Sequence, residues 1–354
     1  MNTTILARIN ARFAGGNWLT SPPPKPEPSR TKLLGSALAA IILALVALLV
    51  SGMAQAAGEG CVGVQVHPGD NLTQVAAARA PGTTYCIQDG DYPVTSNIVV
   101  EDGDTFSGVY SDGSRPSVTT TTTEEIFDAT GSTGATISGL MVSGAVGDTS
   151  CQPACGRGIS GGTNLTLDNI RATENANQGV GGTGANLVIR DSLFDSNGSK
   201  AFYEDSTYAS SAGVKSVNSM FIYNSRARDN AWVGFWCDLE CNDFEVHDSV
   251  ASRNGKGGIF YEVSTGPAII EGNIIRNNGY SEMKRRPGGL LIVSSQNANA
   301  YGNTFGSNNE AGVRITEDER SPSVSDINIQ GNNTMKGDPL IGCEISGVRC
   351  NKNN

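Results

Sequence analysis

Two similar phrases, each ending in an acidic residue, form the part of the sequence best suited to chemistry. The phrase G-F-W-C-D ends at Asp238, and G-I-F-Y-E ends at Glu262, 24 residues later. If 24 residues make one turn of a coiled chain, the two residues lie on neighbouring strands about 4.8 Å apart. Carboxylates about 5 Å apart can act as nucleophile and general acid/base at a glycosidic bond. The spacing therefore predicts Asp238 and Glu262 as catalytic residues.

The residues around this pair predict a saccharide-binding surface. Alternate residues of a strand point to opposite faces. Aligned strands place Lys215, Asp238 and Glu262 in one outward column, with Trp236, Phe260 and Arg314 in the next. Aromatic faces suit the apolar face of a sugar ring. We therefore expect exposed Trp236 and Phe260, together with Lys215 and Arg314, to bind substrate.

The predicted neighbours of the two acids differ, which suggests a division of roles. Lys215 lies on one side of Asp238 and favours its charged form, as a nucleophile requires. Glu262 lies between an acid and Val293, so it retains a proton more readily. Asp238 is thus the expected nucleophile and Glu262 the expected acid/base, with no cofactor.

Two alternatives use the same residues differently. In a polysaccharide lyase, the acids would hold Ca²⁺ and Lys215 would remove a proton beside a uronate carboxylate. In a non-catalytic polysaccharide-binding or surface protein, the charges would be a weakly paired surface ladder. Metal dependence and unsaturated products distinguish the lyase from the hydrolase.

The elements that position these residues are predicted by an internal repeat. Seven segments share a strand-like phrase, at spacings from 23 to 33 residues. Their central residues are Asn169, Ser192, Ser225, Ser249, Asn273, Asn303 and Asn332. A second column, five residues later, comprises Glu174, Asn197, Asn230, Asn254, Asn278 and Asn308. Asn tolerates left-handed corners and forms hydrogen bonds between stacked coils, so these columns predict a solenoid.

From residue 65 to 333, the chain resembles the right-handed parallel β-helix repeat family, the architecture of pectate lyases. The resemblance implies an all-β, right-handed parallel β-helix. The phrases A-G-V-K, G-F-W-C-D and F-Y-E-V-S-T-G-P are also similar to elements of a β-helical β-xylosidase family of retaining glycosidases. That similarity implies that the nucleophile is Asp238 and the acid/base Glu262. Cys237 and Cys241, which bracket the Asp, depart from the family pattern.

The remaining sequence predicts how the solenoid is closed. Asp70 or Asn71 is expected to cap a short helix that runs to about Arg79 and covers the N-terminal end. All eight cysteines lie beyond residue 60, and an even number in an exported chain indicates disulfides. Sequence proximity pairs Cys61 with Cys86, Cys151 with Cys155, Cys237 with Cys241 and Cys343 with Cys350. Neither C-x-x-x-C has a histidine at zinc-ligand spacing, so metal is not expected.

The N-terminal region predicts export. Residues 1–32 are expected to be a disordered basic segment, and 33–56 a signal peptide. The apolar stretch 33–50 could instead anchor the protein to the outer face of the membrane. Residues 61–340 are then the β-helix and 341–354 a disulfide-closed tail. We expect a secreted, monomeric protein whose partner is a polysaccharide or oligosaccharide.

Net charge argues against one class of partner. Residues 1–56 carry five basic residues and one acidic residue, a net charge of +4, so the −10 of the whole chain becomes −14 without them. An acidic surface repels the phosphate backbone. No nucleic-acid partner is therefore expected.

Overall fold

A computed structural model describes residues 60–110, 114–151, 155–199, 202, 210–280, 286–331 and 333–350, except for the side chain of Thr149. The expectations for 1–32 and 33–56 thus lie outside the described residues. The domain boundaries remain a prediction. Within the described residues, no helix has the length and apolar character needed to cross a membrane.

The described chain consists of short strands and one α-helix, α1 (Leu72–Ala77). A 3-10 turn spans Thr149–Cys151. The first sixteen strands are β1 (Val64–Val66), β2 (Thr84–Gln88), β3 (Asp91–Pro93), β4 (Ile98–Val99), β5 (Thr105–Val109), β6 (Ser117–Thr119), β7 (Glu125–Asp128), β8 (Thr136–Ser138), β9 (Met141–Ser143), β10 (Arg157–Gly161), β11 (Thr166–Asp168), β12 (Arg171–Thr173), β13 (Gln178–Gly182), β14 (Leu187–Arg190), β15 (Leu193–Asp195) and β16 (Ala212–Ser216). The others are β17 (Met220–Tyr223), β18 (Arg226–Arg228), β19 (Val233–Asp238), β20 (Phe244–His247), β21 (Val250–Ser252), β22 (Gly257–Glu262), β23 (Ala268–Glu271), β24 (Ile274–Arg276), β25 (Gly288–Val293), β26 (Gln296–Tyr301), β27 (Thr304–Gly306), β28 (Val313–Thr316), β29 (Ser325–Ile329), β30 (Thr334–Lys336), β31 (Leu340–Ile341) and β32 (Val348–Cys350).

These strands form three long parallel sheets, because successive coils stack strand upon strand. Within the described residues, the first sheet has the order β1-β2-β5-β8-β11-β14-β17-β20-β23-β26-β29-β32. The second sheet has the order β31-β28-β25-β22-β19-β16-β13-β10-β7-β4, and the third β3-β6-β9-β12-β15-β18-β21-β24-β27-β30. Inward-facing apolar side chains from all three form one continuous core. The predicted right-handed parallel β-helix is confirmed.

The amides of one asparagine column form a buried ladder that joins the coils. Asn254 Nδ2 donates to Asn278 Oδ1 at 3.0 Å, and its Oδ1 accepts from Asn230 Nδ2 at 2.9 Å. Gly234 lies against this ladder, because a Cβ there would be only 2.8 Å from Asn254 Nδ2. The ladder requires a coil spacing that repeats from one asparagine to the next, and so it fixes the register of the coils.

Three members of the predicted columns are wrong by one residue. Asn175, not Glu174, begins the second ladder, and Asn333, not Asn332, accepts from Asn303. In the first column, Ile170 rather than Asn169 takes the ladder position. The physical reason is that one residue turns the corner and the next residue forms the ladder hydrogen bond. Glu174 has a left-handed backbone with φ 54°, and the ladder amide follows it.

The predicted capping helix and the predicted disulfides are both present in the structure. Helix α1 begins after Asn71, whose side chain accepts a hydrogen bond from the Gln74 N–H, and it buries Leu72 and Ala76. It ends at Ala77, two residues before the predicted end. The four predicted cysteine pairs, Cys61–Cys86, Cys151–Cys155, Cys237–Cys241 and Cys343–Cys350, are disulfides in the structure.

Candidate functional site

The two predicted catalytic residues are direct partners in the second sheet. Strands β19 and β22 pair in parallel, with Asp238 opposite Glu262 at their carboxyl ends. The preceding residues, Cys237 and Tyr261, are buried in the main core. Because alternate residues face opposite sides, the two acids face outward. The predicted pairing and direction are confirmed.

Both acids are nonetheless almost completely covered. Asp238 is 6% exposed and Glu262 is 8% exposed. A nearly buried carboxylate needs a charged or hydrogen-bonding partner to remain ionised. The partners of these two side chains therefore define what the site can do.

Lys215 reaches Asp238 from a register that the alignment missed. In the sheet, Lys215 lies opposite Trp236, and Ala212 lies opposite Val233 rather than Phe235. The predicted alignment of this strand is wrong by two residues. The long side chain nevertheless places Nζ 2.8 Å from Asp238 Oδ2, with the same ammonium 3.5 Å from the centre of the Trp236 ring. A slip of two residues keeps every side chain on its face, so alternation could not detect it.

The expected exposure of Trp236 and Phe260 is wrong. Trp236 is 3% exposed and Phe260 is fully buried. Their rings stack with centroids 5.3 Å apart, in a second apolar cluster that also contains Trp232 and Leu291. Alternation predicts the direction of a side chain but not what covers it. These rings are therefore the packed base of the site, not an open platform for sugar.

Glu262 is held by two donors, one of which sequence reasoning missed. Trp236 Nε1 donates to Glu262 Oε2 at 3.1 Å, and Arg320 Nη2 donates to Oε1 at 2.6 Å. Arg320 also pairs with Asp318 at 2.7 Å, and its hydrogen bonds hold the pKa of Asp318 at about 2. Both oxygen atoms of Glu262 thus accept a hydrogen bond. The only signal in the sequence was the run E-D-E-R that ends at Arg320, just after a strand.

Asp238 has one oxygen atom paired and one without a partner. Oδ2 accepts from Lys215, whereas Oδ1 is buried and has no hydrogen-bond partner among the described residues. An unpaired buried carboxylate oxygen is costly, and such groups concentrate at functional sites. Oδ1 therefore keeps its capacity to accept a hydrogen bond, although it is buried.

A groove of about 300 Å³ opens beside Glu262. It is lined by Lys256, Phe260, Glu262, Arg286, Leu291, Val293, Arg314, Thr316, Asp318 and Arg320. Arg314 is mostly buried, with Nη2 2.7 Å from Glu310 Oε2 and Nε donating to the Pro287 carbonyl. Lys215, Trp236 and Asp238 do not line the groove. Of the four residues predicted to bind substrate, Arg314 and Phe260 therefore border it.

The acids do not resemble a divalent-cation site. Among the described residues, no group of three or more His, Cys, Asp or Glu side chains could hold a metal ion. Asp238 and Glu262 are each already paired with a cationic side chain. Ca²⁺ prefers six to eight oxygen ligands, which this pair does not supply. The residues present do not fit the Ca²⁺ of the lyase alternative.

Comparison with known proteins places the chain in a family. The model of the family described as "Right handed beta helix region" matches residues 126–305, and the chain belongs to that family. A search of curated proteins finds no match. The similarity to a β-xylosidase family therefore remains a prediction from the sequence motifs.

Solved structures share the fold at low sequence identity. The A-module of mannuronan C-5 epimerase AlgE4 from Azotobacter vinelandii is 13% identical, with a TM-score of 0.50, over 79% of this chain and 94% of that module. Pectate lyase Pel9A is 17% identical, with a TM-score of 0.43, over 80% and 82% of the two chains. The tailspike gp49 of Acinetobacter baumannii bacteriophage Fri1, a capsular polysaccharide depolymerase, is 11% identical, with a TM-score of 0.47, over 79% and 56%. The similarity to the epimerase module shows the fold alone.

Proposed function

We propose that the protein is an exported carbohydrate-active enzyme and that it is a retaining glycoside hydrolase. The observation that carries the proposal is the direct pairing of outward-facing Asp238 and Glu262 on adjacent strands of one sheet. Adjacent strands bring two carboxylates to the separation that a nucleophile and an acid/base need. The name of the mannuronan C-5 epimerase module, which refers to a saccharide, and the four disulfides support a saccharide substrate and an extracellular location.

In this reaction Asp238 Oδ1 attacks the anomeric carbon while Lys215 holds Oδ2. The bond to the leaving oxygen breaks, and Glu262 donates the proton that this oxygen takes up. Glu262 then removes a proton from water, which attacks the same carbon and releases Asp238. Each carboxylate ends in the state in which it began.

Arg320 has a role in this cycle because it donates a hydrogen bond to Oε1 of Glu262 and so orients the carboxyl group. The acid step needs a protonated Glu262, and the base step needs a charged one. Arg320 also pairs with Asp318, which holds the guanidinium group beside Glu262. Arg320→Gln should therefore lower kcat more than it changes KM, because it removes a contact with the group that transfers the proton.

The test is hydrolysis of a panel of aryl glycosides and polysaccharides, with and without chelator. Asp238→Asn should abolish turnover on any substrate found, since the covalent intermediate cannot form. Glu262→Ala should lower the turnover rate about 10²–10⁴-fold for substrates with poor leaving groups, and less for substrates with activated ones. Added azide should restore turnover in this variant. Asp229→Asn, a change at an exposed acid on a neighbouring corner, is the matched control and should leave turnover unchanged.

The outcomes separate the proposal from its alternatives. Unsaturated products that absorb in the ultraviolet, or complete loss of activity with chelator, would indicate a lyase. If Asp238→Asn and Glu262→Ala both retain full activity, the pair is not the catalytic site. Saccharide binding without turnover would indicate a non-catalytic binding protein.

A further inference from the structure

The charge of the groove beside Glu262 is opposite to that of the protein. The chain carries a formal net charge of −10. The groove is lined by four cationic side chains, Lys256, Arg286, Arg314 and Arg320, and by only two acidic ones, Glu262 and Asp318. A cationic groove in an acidic protein attracts anionic ligands selectively, because the rest of the surface repels them.

The cations at the two ends of the groove differ in their partners. Arg320 is balanced by Glu262 and Asp318, which belong to the candidate catalytic region. Arg314 donates through Nη2 to Glu310 and through Nε to the Pro287 carbonyl. Its third nitrogen, Nη1, has no hydrogen-bond partner among the described residues. This end of the groove therefore has donor capacity left over.

Arg286 adds a second guanidinium at the same end. It is exposed, and no carboxylate of the described residues lies within ion-pair distance of it. Burial lowers the pKa of Arg314, pairing with Glu310 opposes that shift, and the charge of Arg286 adds to it. The two guanidinium groups thus repel each other across the groove. An anion placed between them would relieve that repulsion and satisfy the remaining donors.

The base of the groove suits a sugar ring. Leu291, Val293 and Phe260 supply the apolar part of the lining, and of these three Val293 is the one that is partly exposed. A volume of about 300 Å³ is at the lower end of the range for small-molecule sites, roughly 300–1,000 Å³. Apolar walls with a few convergent polar groups are what such sites require.

Resting on the proposed function, we propose that the groove is a subsite for a uronate residue, whose carboxylate binds between Arg286 and Arg314. The neighbouring sugar then lies at Asp238 and Glu262. The substrate is accordingly an acidic saccharide rather than a neutral one.

The experiment is calorimetric titration of the purified protein, and of Asp238→Asn to prevent turnover, with uronate oligosaccharides. Oligomers from pectate, alginate and glucuronoxylan are each compared with their methyl esters, which keep the sugar and remove the charge. The acid form of at least one oligomer should bind about tenfold or more tightly than its ester, as expected for charged hydrogen bonds. That preference should weaken as salt is added.

Substitutions in the groove test which residues cause the preference for the acid form. Arg286→Gln and Arg314→Gln should each reduce the preference for the acid form by about tenfold. Glu310→Gln removes the carboxylate that competes for Arg314 and should tighten binding of the acid form. Arg226→Gln, a change at an exposed arginine on the third sheet, is the matched control and should leave binding unchanged.

Several results would overturn the subsite. These are equal binding of acids and esters, no binding by any oligomer, and a preference unchanged in Arg286→Gln and Arg314→Gln. Binding of sulfated but not carboxylated oligosaccharides would overturn the uronate assignment. If the acid preference is found while Asp238→Asn retains wild-type turnover, the hydrolase proposal fails and the subsite stands. If Asp238→Asn is inactive but acids and esters bind equally, the subsite fails alone.

Discussion

The ion pair between Lys215 and Asp238 allows a quantitative test of how the site is held together. Lys215 Nζ lies 2.8 Å from Asp238 Oδ2, and the two side chains are 14% and 8% exposed. Asp238 Oδ1 has no partner among the described residues. Lys215→Met would leave a nearly buried carboxylate without its cation. We expect that change to lower the free energy of unfolding by about 3–5 kcal/mol.

A double-mutant cycle separates the ion pair from the packing of Lys215 on Trp236. Asp238→Asn alone leaves the ammonium without its carboxylate, whereas Lys215→Met with Asp238→Asn removes both charges. The double variant should therefore be more stable than the sum of the single effects predicts. A coupling of about 2 kcal/mol or more is expected for a pair this covered.

An exposed ion pair on neighbouring coils is the matched control. Arg253 and Asp229 are 2.6 Å apart and belong to successive coils, as Lys215 and Asp238 do, but their side chains are 47% and 39% exposed. Solvent screens such a pair, so a coupling of about 0–1 kcal/mol is expected. Both pairs join neighbouring coils, and Arg253 makes two hydrogen bonds to Asp229. A larger coupling for Lys215 and Asp238 would therefore reflect burial, because the geometry favours the control pair.

Urea unfolding at pH 7, followed by far-ultraviolet circular dichroism, measures both cycles. The slope with denaturant should be the same for all variants, so that changes in midpoint report stability. If the Lys215–Asp238 coupling is no larger than the Arg253–Asp229 coupling, the two catalytic candidates are ordinary surface charges. The inference that burial and pairing prepare the site would then be refuted.

Two further predictions concern the scaffold and its acid stability. Asn254→Ala leaves two buried N–H donors of Asn230 unsatisfied and should lower the free energy of unfolding, measured in urea, by about 2–6 kcal/mol. The control, Asn242→Ala at an exposed asparagine, should change it by less than about 0.5 kcal/mol. Equal effects of the two substitutions would contradict a stabilising role of the asparagine ladder. Arg320 holds the pKa of Asp318 at about 2, below about 3.9 in the unfolded chain. Their pairing therefore stabilises the fold above about pH 4 and is lost as pH falls towards 2. Asp318→Asn should reduce the fall in Tm between pH 4 and 2, and an identical fall would contradict this.

The fold was predictable because one period determines all of it. Repeated strand phrases and buried amides such as Asn230 and Asn254 recur at coil spacing, and each coil can bury its apolar side chains only against the next. The pairing of Asp238 with Glu262 was predictable for the same reason, since the two residues occupy equivalent places in two coils without an inserted loop. Local capping chemistry similarly located the helix after Asn71.

The errors arose where periodicity carries no information. Lys215 precedes Asp238 with a coil length that differs from 24 residues, and a slip of two residues leaves the pattern of faces unchanged. Trp236 and Phe260 were assigned the correct direction but the wrong exposure. Their rings stack on each other and the Lys215 ammonium covers Trp236, and these contacts do not follow from the alternation of faces. Arg320 was missed because its contact with Glu262 joins residues far apart in sequence and outside the aligned columns.

The most direct test of the central claim is the anomeric configuration of the first product, observed by proton NMR before mutarotation. A substrate from the hydrolysis panel is incubated with the wild-type protein, with Asp238→Asn as the control for contaminating activity. The pairing of Asp238 with Glu262 predicts a product with the configuration of the substrate, and no product from Asp238→Asn. An inverted product, or an unsaturated uronide, would contradict the claim that these two carboxylates form a retaining hydrolase site.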